Sequence, residues 1–244
     1  MSKRRELMDR RREQERSQTI RVLVIIAAIA IIVIGGAVIL NANANSNKNA
    51  AGQPDVVASA KPVPANAEDG GRAWGPKDAP IKIEEFLDYQ CPACGAYNRN
   101  FEAGVIDAYA KTGKVRYEIH SISFIGQESL DAAAAALCAV DQNKFWQMHN
   151  GLFANQNGEN QNAFNKDRLK QIAVKNGLDA AAFNTCLDTG KYSQQAVQER
   201  TDSENRGVQQ TPTFFVNGKM YPGTLGAADF KKIFDQVAPD VKLP

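Results

Sequence analysis

The sequence predicts an α/β domain whose elements follow the order strand–helix–strand, helical insert, strand–strand–helix. Three observations predict this fold class: a β-prone run over 81–89, an alternating run over 114–124, and a strand–turn–strand pattern within 211–223. A long apolar stretch and then a polar stretch precede these patterns. The prediction for the whole chain is therefore an α/β domain preceded by one N-terminal transmembrane helix and a flexible linker.

The positive charge of the chain is concentrated at its N-terminus. Residues 1–21 hold eight Lys and Arg against four Asp and Glu, a charge of +4, whereas the whole chain carries only +2. The remaining residues therefore sum to −2. A short basic tail before an apolar segment predicts a cytoplasmic tail, and it gives no reason to expect a nucleic acid partner.

The apolar stretch covers residues 22–40, nineteen residues without a charged side chain. At about 1.5 Å per residue, a helix of this length just crosses a hydrocarbon core of about 30 Å. A cleaved signal peptide is the alternative, because Ala42-Asn43-Ala44 resembles a cleavage site. The stretch is longer than the roughly 7–15 apolar residues usual in signal peptides, which favours an uncleaved membrane anchor. Under both alternatives the domain is exported.

The segment between the anchor and the domain has a different composition. Residues 41–72 are rich in Asn, Ala, Gly and Pro and almost lack large apolar side chains. Such a segment buries too little surface to offset the entropy lost on ordering, so we predict a flexible linker. The folded domain is predicted over 73–244, and its first long strand begins after Pro80, because proline is not tolerated inside a central strand.

The first half of the domain predicts a strand–helix–strand unit. After the strand over 81–89, apolar residues recur at helical spacing, and Gly113 ends this helix. The residues at that spacing are Phe101, Val105, Ile106 and Tyr109. Strand alternation returns at Val115, Tyr117 and Ile119. A helical crossover between two strands indicates a parallel pair.

The second half predicts a helical insert over about 127–206, followed by a hairpin and a closing helix. Asn217-Gly218 is a turn signal between two short strand patterns. The closing helix is amphipathic, with apolar positions at Phe230, Ile233, Phe234 and Val237.

The segment "CPAC" places Cys91 and Cys94 three positions apart, a spacing that allows a metal site, a structural disulfide or a redox pair. Structural zinc needs four ligands, and the other cysteines and the two histidines stand at unrelated spacings. Attachment of c-type haem needs His at position 95, which is Gly. A structural bridge here would close a loop too short to constrain the unfolded chain. The pattern therefore favours redox chemistry, and we expect neither a metal nor a cofactor.

The position of Cys91 supplies the chemical reason. It falls where a strand ends and a helix begins, and Pro92 suits the first helical position because its missing N–H is not needed there. Free backbone N–H groups and the helix dipole favour the Cys91 thiolate. Cys94, one turn later on the same side, is expected to be more buried. The first cysteine would attack and leave, and the second would resolve the intermediate.

Together, "IKIEEFLDYQCPAC", the order of elements and "TPTFFVNG" resemble the DsbA-like thioredoxin-fold thiol:disulfide oxidoreductases, and the membrane-anchored bacterial type in particular. The resemblance covers roughly residues 73–240. It implies a thioredoxin fold, with Cys91 as nucleophile and Cys94 as resolving cysteine. It also implies that Thr211-Pro212 forms a cis-proline loop whose backbone binds the substrate peptide.

Other site residues follow from the same resemblance. Glu85 matches the position of a buried acid in relatives, and its strand parity places it in the core, where it could relay protons to Cys94. Pro92 and Ala93, between the cysteines, are expected to contact substrate. They include no His that would stabilise the thiolate, so the oxidising strength stays open.

The remaining cysteines, Cys138 and Cys186, are 48 residues apart within the helical insert. In the resembling anchored proteins such a pair forms a structural disulfide, which chain entropy would make worth roughly 4 kcal/mol. The alternative is two small buried residues in separate helices. His120 and His149 are not assigned a catalytic role.

The expected function is that of an extracytoplasmic oxidase that introduces disulfides into exported proteins. The expected partners are reduced exported clients and, as the resemblance implies, a quinone-linked membrane protein that reoxidises the pair. One alternative is a reductase or isomerase fed by a membrane electron donor. Another is a tethered, non-enzymatic, chaperone-like binding module. We expect a monomer held at the cell membrane by residues 22–40.

Overall fold

The computed structural model describes residues 53–64, 67–68 and 71–243 of the 244-residue chain. The predicted tail (1–21), the predicted anchor (22–40) and the first part of the predicted linker therefore lie outside the described residues. Within the part that is described, no helix combines the length and the apolar character needed to cross a membrane.

In the described part of the chain, six strands form one mixed sheet in the order β1-β2-β4-β3-β5-β6. Strand β3 is parallel to β4, and β5 is antiparallel to β3 and to β6. The strands are β1 (Ala67–Glu68), β2 (Ala73–Trp74), β3 (Ile81–Leu87), β4 (Val115–Ser121), β5 (Thr213–Val216) and β6 (Lys219–Pro222). The predicted parallel pair and the C-terminal hairpin are confirmed. The short strands β1 and β2, which carry no alternation, were not predicted.

Eight α-helices accompany the sheet in the described residues. The first two flank a π-helical turn, and the next five form the insert between β4 and β5. They are α1 (Pro92–Tyr97), α2 (Ala103–Tyr109), α3 (Gln127–Val140), α4 (Phe145–Ala154), α5 (Lys166–Lys175), α6 (Ala180–Asp188), α7 (Ser193–Asn205) and α8 (Ala227–Val237). The thioredoxin-type order with a helical insert is therefore confirmed.

The helix predicted after Cys91 is not continuous. Residues Asn98–Glu102 form a π-helical turn between α1 and α2. The wider turn changes which side chains face the core: Phe101 is 42% exposed, whereas Glu102 is 2% exposed. The expectation that Phe101 shares the apolar face of Val105 and Tyr109 is therefore wrong, because the regular helical spacing on which it depends is broken here.

The predicted flexible linker is wrong for residues 54–64, which we call the strap. The strap lies against the helical insert, and Pro54 onward groups with the folded domain. The amide of Asn155, after α4, accepts a hydrogen bond from the Val57 N–H (2.9 Å) and donates one to the Val57 carbonyl (2.8 Å). Val56 is buried. Side chains a hundred residues away order this segment, so its own composition does not predict its order.

The main hydrophobic core joins residues of β3, α1, α2, the insert and α8 in one cluster, and a smaller cluster forms around Phe86 and Phe215. Phe145, Met148 and Phe153 of α4 are buried, as predicted for the insert. The hairpin turn has positive φ angles at Asn217 (47°) and Gly218 (82°), the backbone conformation that its sequence predicts. Cys91 follows the carboxyl end of the central strand β3 and directly precedes α1.

Candidate active site

Cys91 and Cys94 begin the first helix after the central strand. Cys91 is extended (φ −65°, ψ 121°) and caps α1, and Pro92 occupies the first helical position. The Cys91 N–H donates to the Asp88 carbonyl (3.0 Å) and the Cys91 carbonyl accepts from the Gly95 N–H (3.1 Å). Both cysteines are free thiols; Cys91 is partly exposed and Cys94 is buried. The placement matches the strand-to-helix junction predicted from the sequence.

The environment of Cys91 favours its thiolate. Its pKa is lowered to about 6, chiefly by a hydrogen bond from the Cys94 side chain and then by one from Thr211, against a partial burial that raises it. Backbone N–H groups of Cys94 and Ala93 add smaller stabilisation. The open amides of the helix therefore contribute as expected, but the neighbouring thiol contributes more.

Cys94 is in the opposite situation. Burial raises its pKa well above the ordinary thiol value, and the neighbouring Cys91 raises it further. A buried thiolate without solvent is costly, so Cys94 needs a proton whenever its sulfur is released from a disulfide. The two cysteines differ in ionisation although they are three residues apart.

The Thr211-Pro212 bond is cis and lies against this pair. The Cys91 thiol donates to the Thr211 carbonyl (3.5 Å), and the Pro212 carbonyl accepts from the Gly223 N–H (2.9 Å). In this reduced form the buried Thr211 hydroxyl has no hydrogen-bond partner among the described residues, so it is available to a thiolate. Its side chain lowers the pKa of both thiols by hydrogen bonding to their thiolate forms. The structure therefore brings Thr211 and Pro212 to the Cys91 sulfur.

Glu85 lies on β3 with its side chain in the core, 1% exposed. Burial raises the pKa of its carboxyl well above the usual range, and the charge of Glu102 raises it further. The Tyr117 hydroxyl donates to Glu85 and is itself 3.1 Å from the Tyr97 hydroxyl. Tyr97 is three residues after Cys94 on α1, a spacing that puts both on one helix face.

A second buried acid, Glu102, acts on Glu85 and is not predicted by the sequence pattern. Glu102, on the π turn, is 3.1 Å from His149 Nε2 and accepts from Asn98 Nδ2 (2.7 Å). The Tyr89 hydroxyl lies 3.2 Å from the other ring nitrogen of His149. Because 47 residues separate Glu102 from His149, no local pattern predicts their contact. The π turn removes the helical register that would have placed Glu102.

Two further polar side chains hold the loop that carries Cys91. The buried carboxylate of Asp88 accepts from the Gln90 N–H (2.8 Å), the Ser129 hydroxyl (2.7 Å) and the Ile125 N–H (3.2 Å). Gln156, after α4, donates to the carbonyls of Tyr89 (2.9 Å) and Cys91 (2.8 Å). The insert thus fixes the start of α1.

Gly95 lets Gln156 reach those carbonyls. A Cβ at position 95 would lie 2.0 Å from Gln156 Oε1, so a larger residue would push the amide aside. The sequence pattern alone does not predict this role of Gly95.

The other two cysteines are joined to each other. Cys138 of α3 and Cys186 of α6 form a disulfide, the pairing that the resemblance implies. Both are buried in the apolar core of the insert. Within the described ranges, no group of three or more His, Cys, Asp or Glu side chains could hold a metal ion.

A thioredoxin-type sheet with a cysteine pair at a helix start, opposite a cis-proline, defines the class of thiol:disulfide exchange proteins. A thioredoxin family profile matches residues 67–236. The chain belongs to the thioredoxin family, in its DsbA-like branch of thiol:disulfide oxidoreductases.

The relatives are bacterial. The probable disulfide bond formation protein D of Bacillus cereus is 29% identical over 154 residues, which are 61% of this chain and 71% of that protein. Disulfide bond formation protein D of Bacillus subtilis is 26% identical over 176 residues, 71% of this chain and 78% of the relative. The crystal structure of oxidised BdbD from Bacillus subtilis has a TM-score of 0.62 at 24% identity and covers 75% of this chain and 98% of that chain. At this identity the structural likeness shows the fold alone.

Proposed function

We propose that this protein is a membrane-tethered oxidase that introduces disulfides into exported proteins outside the cytoplasm. The opposed ionisation of the two thiols carries the proposal: the pKa of Cys91 is lowered to about 6, and that of Cys94 is raised. Stabilising the Cys91 thiolate stabilises the reduced pair, and an exchange protein whose reduced form is stabilised is a strong oxidant. The proteins named for disulfide bond formation among its relatives support the same direction.

The oxidation would proceed in two exchanges. A client thiolate attacks the Cys91 sulfur of the Cys91–Cys94 disulfide; the bond between the two enzyme sulfurs breaks and its electron pair leaves on Cys94. A second client thiolate then attacks the client sulfur of the mixed disulfide and expels Cys91 as a thiolate. The client loses two electrons and two protons; one proton ends on Cys94 and the other in solvent.

Glu85 is the proposed proton donor for Cys94. Its carboxyl is buried, its pKa is raised, and Tyr117 links it to Tyr97, which shares the helix face of Cys94. A protonated acid near the leaving sulfur lowers the cost of expelling a thiolate that has no access to solvent. After each oxidation Glu85 must regain its proton.

The exposed surface around Cys91 is the proposed client site. Pro92 and Ala93 are exposed beside the sulfur, and Thr211-Pro212 lies on its other side. In the oxidised protein Cys91 has no thiol proton to donate, so the Thr211 carbonyl is free to accept an N–H from an extended client peptide. This would hold the client strand alongside the disulfide.

The tether and the reoxidising partner complete the proposal. The uncharged run over 22–40, with basic residues before it, would anchor a monomer in the cell membrane with its domain outside. By the family resemblance, a quinone-linked membrane protein would accept the two electrons from the reduced pair.

The test is the redox equilibrium of the full-length protein with glutathione, with Cys91→Ser as a control that cannot form the pair. We expect a potential between those of thioredoxin, about −270 mV, and DsbA, about −120 mV, because the Cys91 pKa of about 6 lies between the pKa values of their attacking thiols. A potential as low as that of thioredoxin, about −270 mV, would contradict the oxidase and indicate a reductase.

A further inference from the structure

The buried acid Glu85 is not isolated from other charges. Glu102 faces it from the π turn, Lys61 from the strap, Tyr97 from α1 and Tyr117 from β4. On the neighbouring strand β5, the residue paired with Glu85 is an apolar phenylalanine. The charges that act on Glu85 are therefore one anion and one cation on separate elements.

The cation is Lys61, whose side chain extends from the strap to Asn98 and Glu102 of the π turn. Its ammonium donates to the Asn98 carbonyl and to Asn98 Oδ1 (2.8 Å), and it lies 4.0 Å from Glu102 Oε2. Burial lowers its pKa while the charge of Glu102 raises it. An ammonium group half removed from water and directed at a buried carboxylate is a costly arrangement that is not needed to hold the strap.

The strap holds Lys61 in place through its backbone. The Asn155 amide binds Val57 on both sides, Asn176 Oδ1 accepts from the Ser59 N–H (2.9 Å), and Arg168 donates to the Pro54 carbonyl (2.8 Å). These contacts come from the helical insert and do not involve the Lys61 side chain. They anchor the strap independently of the charge that Lys61 carries.

A cavity of about 190 Å³ opens at the same place. Lys61 and Glu102 line it, together with Trp74, Trp146 and Asn150. Its volume is sufficient for several water molecules. Neither active-site cysteine lines this cavity. Water can therefore approach the carboxylate of Glu102 by a route separate from the client surface.

We propose that Lys61 and Glu102 form the solvent end of the buried acid cluster that protonates Cys94, so that the strap is part of the redox site. Both are positioning residues that act through Glu85, and the inference rests on the proposed function. In each oxidation Glu85 gives its proton to the departing Cys94 sulfur. The charges of Lys61 and Glu102, which are in contact beside a cavity that can hold water, set how readily Glu85 holds and regains that proton.

The test compares variants that remove a positive and a negative charge near Glu85, which should shift the pH dependence of the reaction in opposite directions. With the full-length oxidised protein and a single-cysteine peptide, the rate of mixed-disulfide formation is measured against pH after acid quenching. The step needs both the peptide thiolate and protonated Glu85, so the rate divided by the thiolate fraction of the peptide declines as pH rises through the pKa of this acid. Lys61→Met removes a cation and should shift the decline upward by about half a pH unit or more; Glu102→Gln removes an anion and should shift it downward.

Matched variants distinguish the effect of the charge at position 61 from a general disturbance of the structure. Lys61→Arg keeps the charge and should restore the wild-type profile. Lys191→Met removes an exposed lysine paired with Asp141 on the insert and should leave the profile unchanged. Shifts of Lys61→Met and Glu102→Gln in the same direction, or no shift in Lys61→Met, would overturn the inference. If Glu102→Gln does not fold, the two Lys61 variants decide alone.

The two proposals fail differently. A wild-type protein that forms no mixed disulfide, or a decline that persists in Glu85→Gln, contradicts the proposed function. A decline that Glu85→Gln removes but Lys61→Met leaves in place contradicts only the role of Lys61.

Discussion

The molecule contains two cysteine pairs that the same chain treats in opposite ways. Cys138 and Cys186 come from two helices of the insert and are buried in its apolar core as a disulfide. Cys91 and Cys94 stand one turn apart at the start of α1, where one sulfur is partly exposed and surrounded by hydrogen-bond donors. Both pairs consist of the same two cysteine side chains. The difference in reactivity therefore comes from their surroundings: hydrogen-bond donors to the sulfur, solvent exposure and a nearby buried acid.

The largest expected effect separates the pairs by activity. Cys91→Ser should lower the rate of oxidation of a reduced, unfolded client by on the order of 10³-fold or more, because no other sulfur can be attacked. Cys94→Ala, supplied as the mixed disulfide of Cys91 with glutathione, should exchange with a client thiolate, release glutathione and accumulate client mixed disulfides on Cys91, since the resolving thiol is absent. The measurement is client oxidation, followed by non-reducing electrophoresis and mass spectrometry of the trapped partners.

The control for this prediction is the Cys138→Ala, Cys186→Ala double variant. Its activity per folded molecule should equal that of the wild type. Mixed disulfides on Cys138 or Cys186 would contradict the assignment of that pair as structural.

The same double variant should lose stability. A bridge across 48 residues restricts the unfolded chain, so its removal should lower the free energy of unfolding by about 4 kcal/mol. Urea denaturation of the oxidised proteins measures the difference. A loss below about 1 kcal/mol would mean that the bridge contributes little, whereas the pKa of Cys91 should not change in either case.

The sequence predicts the Cys91 pair better than its surroundings, for a physical reason. Strand alternation, Pro92 after Cys91 and the Asn217-Gly218 turn are local signals, and each predicted element is found. The π turn, the strap and the contact of Glu102 with His149 depend on partners far along the chain. Local periodicity contains no information about such partners, so it predicts Phe101 in the core and a flexible linker where the strap lies.

Cys91 should give the reduced protein a pH-dependent stability that the oxidised protein lacks, in addition to that of His120, whose pKa burial lowers to about 3. The folded Cys91 pKa of about 6 lies below the ordinary thiol value of about 8.5, so its thiolate stabilises the fold fully above pH 8.5, and this is lost as pH falls through 6. Allowing for its partial exposure, the contribution of Cys91 to the free energy of unfolding should rise by about 1–2 kcal/mol from pH 5.5 to 8. Cys94, whose pKa is raised, acts only above that range.

Denaturation of the oxidised protein is the control, because its cysteines do not titrate. The increase between pH 5.5 and 8 should appear in the difference between reduced and oxidised forms. It should disappear in Cys91→Ala. A difference that is flat across this range would mean that Cys91 is an ordinary thiol and that the oxidising strength has another source.

The smallest predicted effect concerns Thr211, whose hydroxyl stabilises the Cys91 thiolate. Cys138 and Cys186 form a disulfide and have no thiolate for such a donor to stabilise. Thr211→Val removes a buried hydroxyl with almost no change of volume, and the hydrogen bond to the thiolate goes with it. A bond of about 1 kcal/mol corresponds to a rise in the Cys91 pKa of about half a unit to one unit. Ultraviolet absorbance of the thiolate against pH measures the shift. The control is Thr213→Val. The Thr213 hydroxyl donates to the Gln210 carbonyl (2.8 Å), so its removal changes the same loop but should leave the Cys91 pKa unchanged. Equal shifts in both variants would assign the effect to the loop and not to the Thr211 hydroxyl.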